Sequence, residues 1–378
     1  MASISSINGM KAQALTIMAT RAEDQDLVSS LAAQQGITSS DDLAEAGPGP
    51  SRKVIPAFGW HPWFSHVFYD DTAKEPTYDA SKSGAEEKTR HYQSVLTHSP
   101  DSDFIASLPT PRPLSGFISE TRGRLLANQT ALVGEIGLDK AFRLPMGWNQ
   151  TEASLEREEG LTPGGREGRL LSPHHVVMPH QVQVLKAQLA LAGELGRAVS
   201  VHGVQAHGVL FDAFSSLWEG HEKEVISRRK QRLVAKGAED FSSSEDEYDD
   251  DIGTGSKKQG GTKPYQQKPF PPRVCLHSFS GPPQMVRQYL NPAIPSQIYF
   301  SFSMVVNLSS DGLESKFADV VKTCPDNRIL IESDIHTAGD EMDELLERMY
   351  REVCRIKQWT LEEGVRRIQK NYIEFIFG

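Results

Sequence analysis

The run Ala131-Leu-Val-Gly-Glu-Ile-Gly-Leu-Asp139 places one carboxylate, Glu135, among glycines and aliphatic residues. A short apolar run of this kind reads as a buried strand, and a desolvated carboxylate in such a strand is costly unless something pairs with it. The same arrangement recurs along the chain. Lys53-Val-Ile-Pro-Ala-Phe-Gly-Trp-His61 runs from apolar residues into a histidine, as do Arg197-Ala-Val-Ser-Val-His202 and Arg273-Val-Cys-Leu-His277. Asn327-Arg-Ile-Leu-Ile-Glu-Ser-Asp334 runs into carboxylates. Parallel α/β barrels assemble their sites from the C-terminal ends of several strands. Five apolar runs that each finish on His, Glu or Asp therefore predict a barrel with a metal site at its mouth.

Outward from these runs, the pattern is α/β. Strands are expected near 14–19, 54–58, 132–136, 198–201, 274–277, 298–302 and 329–332, seven in all, alternating with amphipathic helices. Val182, Leu185, Leu189, Ala192 and Leu195 recur at helical spacing, and Met342, Leu345, Leu346, Met349, Val353 and Ile356 form a second stripe. The chain reads as a single domain over 1–378, with surface insertions at 69–113 and 140–178. A third insertion at 237–272 contains Ser242-Ser-Ser-Glu-Asp-Glu-Tyr-Asp-Asp-Asp251 and almost no aliphatic residues. It is expected to be disordered, because it buries too little apolar surface to offset chain entropy.

Composition narrows the classes. A net charge of −10 argues against a basic surface that coats nucleic acid, but not against a nuclease that meets phosphate through metal ions. Three widely spaced cysteines form no CxxC pair and fit a reducing compartment. With no apolar run long enough to span a membrane and no signal peptide, the expectation is a cytoplasmic or nuclear protein without a membrane partner.

Taken together, Gly59-Trp-His-Pro62, Gly134-Glu-Ile-Gly-Leu-Asp139, Val201-His202, His277-Ser-Phe-Ser-Gly281, Ile298-Tyr-Phe-Ser301 and Glu332-Ser-Asp334 resemble the TatD family of metal-dependent deoxyribonucleases. Gln188-Leu-Ala-Leu-Ala192 and Asn371 also fit, and the resemblance spans about Leu15 to Phe377. It implies a TIM-type (β/α)₈ barrel of the amidohydrolase-like class. It implies Glu135, His202, His277 and Asp334 as ligands of divalent metal ions (Zn, Mg or Mn), with Glu135 and Asp334 as catalytic groups and DNA or another phosphodiester as substrate. His61 is the candidate substrate-binding residue. The acidic insertion resembles the fungal branch of the family, named for an interaction with a subunit of a cell-cycle ubiquitin ligase, which implies a protein partner.

Three features depart from the family pattern. Val204 stands where the family has an arginine, and Asp334-Ile-His336 replaces Asp-x-Pro. The family's first strand, with its His-x-His pair, has no counterpart, so the first strand is expected to be missing. The chain is accordingly expected to hold at most one metal, weakly. The leading expectation is a metal-dependent phosphodiesterase. The alternatives are a barrel acting on C–N bonds and a catalytically impaired barrel serving as an interaction module.

Overall fold

The computed structural model describes residues 4–43, 53–82, 84–147, 168–225, 266–309 and 312–378. Seven parallel strands form the central sheet: β1 (Leu15–Met18), β2 (Val54–Phe58), β5 (Leu132–Asp139), β6 (Val199–Val204), β7 (Arg273–Leu276), β8 (Gln297–Phe302) and β9 (Ile329–Ile331). They pair in that order, each with the next. Two short strands, β3 (Phe68–Tyr69) and β4 (Arg112–Pro113), pair separately. The crossovers carry α1 (Ala22–Gln35), α4 (Leu114–Ala127), α5 (Met178–Glu194), α6 (His207–Trp218), α7 (Pro283–Tyr289), α8 (Met304–Asn307) and α9 (Glu314–Thr323). Helices α10 (Asp340–Lys357) and α11 (Leu361–Phe377) close the chain.

The period-two alternation of the strands divides the core into two layers. Ile55, Ala57, Leu132, Cys275, Tyr299 and Leu330 face one another across the strands in one buried cluster. Phe375 and Ile376 at the end of α11 join this cluster, and Arg273 at the start of β7 donates to the carbonyls of both. The alternate residues, among them Phe58, Val133, Val201, Leu276 and Phe300, pack with the helices instead. A sheet whose inner residues meet across five strands is a curled one, as in a TIM-type barrel. The fold class expected from the sequence is the one found, with seven strands in the sheet.

Among the described residues no pairing joins β1 to β9. The segment Ile4–Gly9 and the residues after it lie beside this seam. Ile7 is buried with Leu31 and Val54, and Ala338 packs against the same cluster. The Asp343 carboxylate of α10 accepts the backbone N–H groups of Lys11 (2.7 Å) and Ala12 (3.1 Å). Lys53 reaches the Met10 carbonyl at 2.6 Å. The polar backbone beside the open edge is thus satisfied by side chains rather than by a ladder.

The segment 69–113 contains two helices that the sequence reading passed over, α2 (Ala85–Val95) and α3 (Ser102–Ser107). Their polar, Ser- and Glu-rich sequences hide short apolar faces. Tyr92, Val95, Leu96, Phe104 and Ile105 form a small core with Leu144 and Val176 from the segment after β5. Backbone bonds link the two segments: Thr97 N–H donates to His175 O and Val177 N–H to Val95 O. His174 is buried here with its Nδ1 2.9 Å from Thr97 O. Most of the acidic insertion lies outside the described residues. Its final residues, expected to be disordered to 272, are instead part of the body: Phe270 is buried in the main core and Pro272 O accepts from Gln297 N–H. An aromatic followed by two prolines anchors the entry to β7.

Candidate metal centre

Three buried glutamines hold the chain where it leaves the sheet at the mouth. Gln25 Nε2 donates to Gly59 O at 2.6 Å. Gln188 takes Trp60 N–H on Oε1 (2.8 Å) and donates back to Trp60 O (3.2 Å). Gln181 does the same for Asp139, at 2.8 and 2.9 Å. These amides replace the ladder bonds that end with the strands, and so fix the loops that carry His61 and Asp139.

The site residues converge. In a flat sheet β2 and β9 would lie five strand spacings apart, roughly 24 Å. Here Glu135 Oε1 of β5 lies 3.3 Å from His61 Nε2, 3.6 Å from His202 Nδ1 and 3.6 Å from His277 Nε2. His277 Nε2 lies 2.8 Å from Asp334 Oδ1. Two groups have donor atoms within 4.8 Å of one another, His61–Glu135–His202 and Glu135–His277–Asp334, and they share Glu135. All five residues singled out from the sequence therefore meet in one place.

Close approach of the backbone makes this possible at Gly137. Its φ is +151°, and a Cβ there would stand 1.9 Å from His202 O. Only glycine lets β5 and β6 come close enough to oppose Glu135 and His202. Asp334 and Ser278 have φ of 58° and 40°, left-handed backbone that side chains rarely adopt and that clusters at working sites.

Two further carboxylates stand behind the histidines. Asp139 Oδ2 lies 3.1 Å from His202 Nε2 and accepts from Trp63 Nε1 at 2.6 Å. Its Oδ1 accepts the backbone N–H groups of Ala141 and Phe142. Glu332 Oε2 lies 2.8 Å from His277 Nδ1, an ion-pair contact rather than an aligned hydrogen bond, and accepts from Ser301 Oγ at 2.7 Å. Glu332 Oε1 accepts from Ser278 N–H (2.6 Å) and from its hydroxyl. His202 and His277 thus each turn one nitrogen to a carboxylate and the other toward Glu135. Ligating histidines are commonly held in this way.

His61 is different. Its Nδ1 accepts the Trp63 backbone N–H at 3.2 Å. The neutral ring therefore carries its proton on Nε2, which points at Glu135. Burial, with the neighbouring charge of His202, holds this imidazole below its usual pKa, although Glu135 opposes the shift. In this tautomer His61 offers the site a hydrogen-bond donor and no lone pair.

The electrostatics follow from the shared carboxylate. Burial alone would raise the Glu135 pKa. Interactions with His61 and His277, with hydrogen bonds from His202 and His61, hold it well below the carboxylate range. Burial would lower His202, but Asp139 and Glu135 raise it to about 9. His277 is raised well above normal against the same burial, by Glu332, Asp334 and Glu135. Asp139, which burial would raise, is lowered to about 2 by His202 and Trp63. Protons shared between imidazole and carboxylate at these positions stand where a divalent cation would balance the same charge, so the donor set fits a metal. Imidazole and carboxylate without thiolate suit Zn²⁺, Mg²⁺ or Mn²⁺.

Asp139 and Trp63 had no role in the sequence reading. Asp139 closes the quoted Gly134–Asp139 run, four residues beyond Glu135 on the same face-alternating strand, and that spacing was the available signal. Nothing in the sequence marks Trp63 as its partner.

A curled parallel sheet with a carboxylate–imidazole cluster at its strand ends defines a hydrolase-type α/β barrel. The chain belongs to the TatD related DNase family, whose family model matches residues 8–377. It is 36% identical over 362 residues to the Cut9-interacting protein scn1 of Schizosaccharomyces pombe, covering 96% of this chain and 91% of that one. It is 23% identical over 344 residues to an uncharacterized deoxyribonuclease of Saccharomyces cerevisiae, covering 88% and 85%. Among solved structures, a TatD family hydrolase from Entamoeba histolytica aligns with a TM-score of 0.49 at 11% identity, over 97% of this chain and 85% of that chain. A TatD homolog from Escherichia coli aligns with a TM-score of 0.47 at 14% identity, over 99% and 90%.

Proposed function

We propose that this protein is a metal-dependent phosphodiesterase acting on nucleic acid. The observation that carries the reading is the pair of donor groups sharing Glu135, with His202 and His277 each backed by its own carboxylate. Family membership supports the hydrolase class. Glu135, His277 and Asp334 would hold one divalent ion, and Glu135 with His202 contributes two donors beside it. Such an ion supplies a Lewis acid for a phosphoryl oxygen and lowers the pKa of a water toward neutrality.

The chain's own groups do the rest. His61 directs its Nε2–H at the reacting centre and donates to an oxygen that gains charge. Asp334 accepts the proton of the attacking water at its carboxylate. Glu332 and Asp139 keep the two imidazoles oriented. The test is hydrolysis of single-stranded DNA by the purified chain with added Mg²⁺, Mn²⁺ or Zn²⁺, alongside metal analysis. Activity that survives exhaustive chelation would sink the reading.

The name of the fission-yeast relative supports a second element, a protein partner. Co-purification from a fungal extract, repeated without residues 237–265, tests whether the acidic insertion is its handle. Among the described residues no helix is long and apolar enough to cross a membrane. A cytoplasmic or nuclear place of action is part of the proposal and is checked by imaging the tagged protein.

A further inference from the structure

We infer that Trp63 and the loop Lys140–Arg143 form a subsite for the unpaired nucleotide next to the scissile phosphodiester. The inference rests on the phosphodiesterase reading above and names residues of substrate recognition that it leaves open. The Trp63 and Phe142 rings are stacked, with centroids 4.5 Å apart and planes inclined by 13°. Both are half-buried at the barrel mouth rather than sealed in a core. Trp63 lies 6.0 Å from the His202 ring and 4.4 Å from His61, so the pair adjoins the catalytic cluster.

The pair is also rigid. The Asp139 carboxylate that faces His202 accepts Trp63 Nε1–H on one oxygen and the Phe142 backbone N–H, at 2.9 Å, on the other. One side chain thereby fixes the aromatic wall relative to a candidate ligand. Stacking surfaces gain from this, because less freedom is lost when the ligand docks.

The loop supplies the matching charge. Lys140 and Arg143 flank Phe142 and are exposed, and neither has an ion-pair partner among the described residues. Lys140 N–H donates to Val204 O at 3.0 Å, which brings the start of this loop beside Val204. On a chain of net charge −10, at a mouth lined by Glu135, Asp139, Glu332 and Asp334, these cations are positioned for phosphate. A base stacked on the wall with its phosphate on Lys140 or Arg143 is the usual manner of binding single strands.

The test is calorimetric titration of the metal-loaded protein with a phosphorothioate thymidine trinucleotide and with the same trinucleotide bearing abasic residues. The wild type is expected to bind the base-containing ligand about tenfold more tightly, the low end of the range for one stacked base. Phe142→Leu, which keeps apolar bulk, is expected to bring the ratio toward one, and Phe142→Tyr, which keeps a ring, to preserve it. Lys140→Gln is expected to weaken both ligands and to flatten the dependence of affinity on salt. A wild-type ratio of one, or a ratio unaffected by Phe142→Leu, overturns the subsite. If the wild type shows the ratio and Phe142→Leu loses it, the subsite stands even where the unmodified trinucleotide is never cleaved; that last result would refute only the phosphodiesterase reading.

Discussion

His61 takes the backbone N–H of Trp63 on its Nδ1 at 3.2 Å, and this bond separates it chemically from the two histidines beside it. His202 and His277 each turn one nitrogen to a carboxylate behind the site and the other toward Glu135. His61 spends its lone pair on the backbone and presents N–H to Glu135. The expected outcome for His61→Ala is that bound metal is unchanged in amount while turnover falls on the order of a hundredfold, the effect of removing one preorganised donor. Loss of metal on dialysis of this variant, measured by plasma emission, would make His61 a ligand after all.

Glu135→Ala and His277→Ala are expected to abolish hydrolysis and to leave cooperative unfolding intact. Glu135 sits at the register shift of β5 between Val133 and Ile136, and His277 directly follows β7; both serve the site and not the core. The protein is expected to retain about one equivalent of divalent metal, because of the two three-donor groups among the described residues one includes His61, whose Nδ1 lone pair is taken by the Trp63 backbone. Two equivalents retained through gel filtration would contradict the tautomer assigned to His61.

Glu332→Gln is expected to weaken metal affinity by about 10–100-fold, the usual effect of losing a carboxylate behind a ligating histidine. The amide carries no charge to pair with His277 and cannot accept from both the Ser278 and Ser301 hydroxyls as the carboxylate does. A competition titration against a fluorescent chelator measures this, and an unchanged constant would show that the Glu332 charge does not hold His277.

Acid should destabilise the fold well before the carboxylates protonate. Burial, with neighbouring histidines, lowers His66 to about 3, and burial lowers His91 to about 4; His180 is lowered by burial as well. His91 Nε2 lies 2.8 Å from His66 O and His180 Nε2 2.9 Å from Ser65 O, so the neutral rings pin the turn that follows His61. The unfolded chain takes up these protons below about pH 6.5, while folded His91 resists until about 4 and His66 until about 3. The stabilisation is therefore present above pH 6.5 and is lost as pH falls from there. His66 and His91 each contribute a slope of about 1.4 kcal/mol per pH unit between about pH 6.5 and those values. Urea unfolding at pH 7, 6 and 5 should show the decline, and His91→Gln should flatten it.

Gly137→Ala is expected to cost about 3 kcal/mol or more, at the upper end for a point change, because its Cβ would meet His202 O at 1.9 Å with φ at +151°. Urea denaturation measures the loss. A variant of near-wild-type stability would mean that β5 and β6 can separate without consequence.

The seven strands were legible because each is a short apolar run, and the longer crossover helices because their apolar stripes recur at helical spacing. Helices α2 and α3 were not legible, since the residues they bury pack with Leu144 and Val176, about 50 and 80 positions from Val95 and Tyr92 and supplied by another segment. Phe270 escaped for the same reason: a lone aromatic in a polar stretch carries no periodicity, and only its place in the core shows it to be structural.

The site divides in the same way. By itself, the sequence determined which strand ends carry Glu135, His202, His277 and Asp334, because a polar residue at the end of a buried strand is visible as a break in an apolar run. Only the tertiary structure decided what each one meets. Curling of the sheet brings strands five spacings apart into one cluster, and no local pattern encodes that distance. The role of a histidine rests on what its second nitrogen meets, which is Asp139 for His202, Glu332 for His277 and the Trp63 backbone for His61. Those partners are chosen by packing across the barrel mouth, and a one-dimensional chain does not display them.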